Sequence, residues 1–202
     1  MRTTVRVLQI LVGLLFIISG LVKANDPLGL SYKMEEFFEV WTSGLQSSSF
    51  FAKNLLLSLI SFSREHSLGL SVMMNTLEIV AGIALLVGWR RKFILWLLFV
   101  LIVFFTFLTG YAYLATNPDG TPKFTNCGCF GDCLPIPPLA SFLKDVALTV
   151  AIGLLLVNWK HVAELRWTRA RPAATAAGII LSLFLQWYVL QYTACSQHMG
   201  SC

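Results

Sequence analysis

The stretch Arg90–Ala115 reads RRKFILWLLFVLIVFFTFLTGYAYLA: three basic residues, then an apolar run without a charge. Crossing a bilayer core takes about 18–20 such residues as helix. Backbone polar groups in hydrocarbon must also be paired within the segment, which a helix achieves alone. The run is therefore a predicted transmembrane helix over Phe93–Ala115. Working outward, four further spans follow the same logic: about Val5–Val22, Leu68–Gly88, Leu139–Val157 and Ala173–Thr193. Composition agrees, since 56% of the 202 residues are hydrophobic and only 12% charged, against about a quarter charged in a soluble domain. The expected fold is an all-α integral membrane bundle: a four-helix core plus a fifth transmembrane helix.

A net charge of +5 could suggest nucleic acid, but the basic residues sit at the ends of the apolar runs. That placement serves membrane orientation, and nucleic-acid binding is discarded. Arg2 and Arg6 precede the first span, Arg90, Arg91 and Lys92 fill the second turn, and Lys160, Arg166, Arg169 and Arg171 separate the last two spans. These are nine of the fifteen Lys and Arg residues. Putting them in the cytoplasm gives a bacterial inner-membrane protein with its N-terminus inside and its C-terminus in the periplasm. Arg2, Arg6 and Val22-Lys23-Ala24 also have the outline of a signal peptide; a retained anchor is expected here.

Lys23–Ser67 is the first outer segment. Within Tyr32–Trp41, Met34, Phe37, Phe38 and Trp41 fall on one helical face opposite acidic residues. Phe51–Ser61 is apolar but too short to span, and Gly44–Ser49 separates the two pieces. Both are expected as short amphipathic helices at the outer interface or capping the bundle.

On this topology all five cysteines, Cys127, Cys129, Cys133, Cys195 and Cys202, share the outer side. Buried filler cysteines would be scattered through the spans; confinement to an oxidising compartment points to disulfide chemistry. Cys127-Gly128-Cys129 can close only a small, strained ring, and strained bridges are the exchangeable ones. Cys133 is placed to resolve it, and Cys195 and Cys202 form a relay pair or a tether to a partner. Two other readings stay open. The cysteines can be static staples, or Cys195-x2-His198-x3-Cys202 can join the loop thiols as metal ligands; no metal is expected. An odd total leaves at least one thiol unpaired or bound to a partner.

Glu78 lies near the middle of the second span, and an ionisable group at that depth is a functional candidate. Lys144 and Asp145 fall early in the fourth helix, and Lys23 ends the first. Asp145 or Glu78 is expected to pair with Lys144 or Lys23 beneath the cysteine loop, as a packing ion pair or as a proton acceptor for thiol oxidation.

Several segments resemble the DoxX/MauE superfamily of redox-associated membrane proteins: Ser19–Lys23 with Asp26–Gly29, Leu77-Glu78 through Arg90-Arg91-Lys92, Asn126–Asp132 and Phe142–Asp145. The resemblance implies a four-helix core over residues 1–158, including the outer segment 23–67 and the cysteine loop 117–138. Residues 159–202 add a basic loop, a fifth helix and a cysteine-containing tail. It further implies a membrane thiol–disulfide component exchanging electrons with a periplasmic or membrane protein partner. A quinone is a possible acceptor, with Tyr111, Tyr113 and Phe130 as candidate lining. The alternative is a non-enzymatic membrane subunit or assembly factor whose cysteines are structural.

Overall fold

The computed structural model describes residues 2–46, 53–115, 137–164 and 170–199, and among these all regular structure is helical. The elements are α1 (Arg2–Ala24), α2 (Pro27–Gln46), α3 (Lys53–Glu65), α4 (Ser67–Val87), α5 (Arg91–Leu114), α6 (Pro138–Val157) and α7 (Ala170–Met199). A short 3₁₀ turn, Trp159–His161, follows α6. Five of them, α1, α4, α5, α6 and α7, are long and apolar enough to cross a membrane. These are the five expected spans, with one difference: α7 continues through Cys195 instead of ending near Thr193.

Helix α4 is the hub, packing most extensively on α1 and also on α2, α5 and α7. The α1/α4 pair is antiparallel and very close. A Cβ on Gly82 would lie 2.9 Å from the Gly13 carbonyl oxygen and 2.8 Å from Ile17 Cγ1, so only glycine permits this approach. Small residues at helix crossings are the usual means of association in membranes, where lipid is as apolar as leucine. A second tight pair is formed by α5 and α6. Between the pairs lies a core including Val12, Phe16, Leu85, Leu95, Leu98, Ile152 and Leu155. Outward-facing Leu11, Ile18, Val100, Phe107, Val150 and Leu154 are exposed, as lipid-facing positions should be.

At one end, α4 stops at Gly88, whose left-handed φ of 70° lets its N–H reach Leu85 O. Gln9 closes this end. Its amide donates to Leu85 O at 2.7 Å and accepts from Ala163 N–H at 2.9 Å. At the other end α2 lies over the bundle. Asp26 caps it by accepting from Gly29 N–H at 2.9 Å, and Pro27 occupies the first helical position, where no donor is needed. Met34 and Phe37 are buried, Phe38 and Trp41 half-buried, and Phe37 joins Phe105, Leu108 and Ala112 in a second core. Helix α3 buries no residue and is tied to α2 by an exposed Arg64–Glu39 pair at 2.7 Å.

The α1/α4 contact generates a direct expectation. Gly82→Ala should lose about 1–3 kcal/mol of stability through overpacking, whereas Gly153→Ala, which meets open space, should be neutral or slightly stabilising. Reversible denaturant titration in detergent micelles, followed by circular dichroism, separates the two; equal midpoints would disprove the close approach.

Candidate functional site

Lys23 lies in the last turn of α1, where a lysine would ordinarily snorkel to the membrane surface. Instead it is 2% exposed and is bonded to Glu78 Oε1, itself 2% exposed. The glycine-mediated approach of α1 to α4 causes this, since Gly20 packs directly on Glu78 and Ile79. Lys23 Nζ also stands 4.0 Å from the centroid of the Phe105 ring, a cation–π contact contributed by α5.

One and a half turns into α6, Lys144 Nζ lies 3.2 Å from Asp145 Oδ1. Asp145 is buried, with its second oxygen 3.2 Å from Thr109 Oγ1 on α5. Lys144 is about one-third exposed. Both pairs line one cavity, with Ser19, Phe105 and Leu148 among the other walls; its 20 Å³ has room for about one water. Three helices, α1, α4 and α6, thus bring two cations and two carboxylates to a single small space that α5 helps to wall.

Desolvating such charges costs several kcal/mol per ion unless geometry and hydrogen bonds compensate. Compensation here is incomplete: Glu78 Oε2 and Asn75 Oδ1 are buried without a hydrogen-bond partner among the described residues. They sit one turn apart on α4, and both are acceptors. A donor such as a water would satisfy them. On its far side Asn75 donates to Gln186 Oε1 of α7 at 3.2 Å, and Gln186 reaches Thr76 Oγ1 at 3.0 Å and Ser182 Oγ at 3.2 Å.

The charged residues singled out from sequence, Lys23, Glu78, Lys144 and Asp145, are all brought to this cavity. Cys127, Cys129, Cys133 and Cys202, with Phe130, lie outside the described residues. The Cys195 backbone is within α7. Tyr111 and Tyr113 are not brought together: Tyr111 packs against Phe37 and Trp41, and Tyr113 stacks on Phe142. Sequence reasoning missed Gln9, Thr109 and Gln186. A lone polar residue within an apolar run was the available signal.

A family model described as methylamine utilisation protein MauE matches residues 1–158, which takes in α1 to α6. No curated protein and no solved structure matches the chain.

Breaking a buried ion pair from one side strands the other charge, a loss of about 3–5 kcal/mol. Glu78→Gln should therefore destabilise the protein by roughly that amount. The double replacement Lys23→Met with Glu78→Leu should recover most of it. Denaturant midpoints of the three proteins in micelles check this; a double variant no better than the single one would refute a dominant pairwise term.

Proposed function

We infer the function from the premise that this chain belongs to the MauE family, a family of membrane proteins, and read it as a thiol–disulfide redox component of the membrane. In this reading Cys127 and Cys129 are the exchanging pair and Cys133 resolves the mixed disulfide formed with a protein partner outside the membrane. Cys195 and Cys202 serve as a second relay pair or a tether. The observation that carries the reading is the buried charge cluster. Its Lys144 and Asp145 lie in the second turn of α6, the helix into which the cysteine segment leads, and its Glu78 on α4 has an acceptor oxygen without a donor among the described residues.

The chemistry balances without a metal. Oxidation of two thiols to a disulfide releases two electrons and two protons. When the partner presents a disulfide, that bond is reduced to two thiols and takes up both. Asp145, with Lys144 beside it, is the carboxylate nearest the cysteine segment along α6 and in this reading the first station for a proton in transit. The 20 Å³ cavity is far too small to hold a quinone ring. Residues 1–158 form the redox core in this reading, and residues 159–202 an added helix that braces it.

The assembly-factor reading, with cysteines locked in structural bridges, differs in one observable. Trapping thiols in intact cells with a mass-shifting alkylator should give a mixture of reduced and oxidised species. Cys133→Ser, which lacks the resolving thiol, should accumulate a partner-linked species that collapses on reduction. A single locked form in both proteins, resistant to reductant, would sink the exchange reading. Asp145→Asn should slow reoxidation of the reduced protein by tenfold or more, as expected for loss of a general base, with Lys53→Gln unaffected; stopped alkylation time courses provide the measurement.

A further inference from the structure

The end of the bundle opposite the charge cluster carries a second, different concentration of charge. Arg90, Arg91, Lys92 and Arg171 line a cavity of about 460 Å³ together with Glu164 and Trp159. Glu164 is spoken for twice, by Arg91 at 2.6 Å and by Arg171 at 2.9 Å. Arg91 is further fixed by Val162 O at 2.8 Å. Among the described residues neither Arg90 nor Lys92 has a carboxylate partner. Four cations thus face one anion.

Local structure sharpens this imbalance. Arg90, Arg91 and Lys92 are the N-cap and first two residues of α5, whose first turn contains no acidic residue. Cations there oppose the positive end of the helix dipole and weaken the helix. Arg90 also holds a left-handed φ of 41°, uncommon for a residue with a side chain. A bound anion would offset both the dipole conflict and the clustering of like charge.

We propose that this cavity binds the phosphate headgroup of an anionic phospholipid. A lipid is the source that fits because the cavity rim is continuous with lipid-facing surface. Phe93 lines it at 62% exposure, Trp96 is 52% exposed one turn along α5, and Val157 at the end of α6 is 82% exposed. A phosphate in the cavity would leave acyl chains running down these apolar faces, and basic pockets between membrane helices suit such headgroups.

The test uses the full chain reconstituted into vesicles of phosphatidylcholine with a minority of phosphatidylglycerol. Lipids retained after detergent extraction are counted by native mass spectrometry. The wild type should retain phosphatidylglycerol well above its share of the vesicle. Arg90→Asn with Lys92→Gln should lower that enrichment roughly tenfold or more, given about a fivefold contribution for each basic residue near an anionic headgroup. Asparagine is chosen because it tolerates the left-handed φ, and unchanged circular dichroism confirms the fold. Lys92→Arg alone, which conserves the charge, should keep most of the enrichment, and Lys53→Gln all of it. Unchanged enrichment in the Arg90→Asn, Lys92→Gln protein would overturn the proposal. So would inorganic phosphate in detergent displacing the lipid at equal concentration, because the chains would then contribute nothing.

Discussion

The structure depends on the close crossing of α1 and α4, which buries one ion pair, Lys23 with Glu78. The pair requires the small residues at the α1/α4 crossing, because larger ones would hold the helices too far apart for a lysine stem to turn inward. Once the pair forms, the α1 terminus is fixed over α4, and Asp26 can begin α2 two residues past the helix. Helix α2 then lies across the bundle end. Its Phe37 packs beside Phe105, the same ring that backs the lysine. The cap and the buried charges are consequently one construction.

Electrostatics divides the molecule into two regimes. At the covered end the charges are nearly matched in sign and withdrawn from solvent, so each proton gained or lost is felt by its neighbours through a low-dielectric medium. At the basic end positive charge is in excess and open. A matched, enclosed set suits the handling of protons, and an unmatched open one suits holding an anion from outside. The bundle separates the two sets of charge by the length of a transmembrane helix.

Much of this was readable from the chain itself. Long apolar runs bounded by arginines gave the five crossings, because hydrocarbon admits few alternatives for such segments. The four intramembrane charges were visible because an ionisable residue at depth demands a partner. Which charge pairs with which was not visible, since it depends on rotational setting and on side-chain-free faces such as that of Gly20. Gln9 and Gln186 were overlooked for a similar reason: a single amide in an apolar run has no periodicity, and its value lies in carbonyls far away in sequence. The fifth span was legible too, and α7 continues as helix beyond it because helical geometry persists where hydropathy fades. For the cysteines a shared compartment stays an expectation from the sequence, since four of the five lie outside the described residues.

Helix α7 lies beyond the stretch that matches the family model, yet Asn75 and Thr76 of α4 direct their polar atoms toward it. A version of this protein shortened to its first 158 residues would expose an amide and a hydroxyl to acyl chains in mid-membrane. The C-terminal segment is therefore no removable appendage: any lineage or engineered form that dispensed with it would have to rewrite the hub helix at the same time.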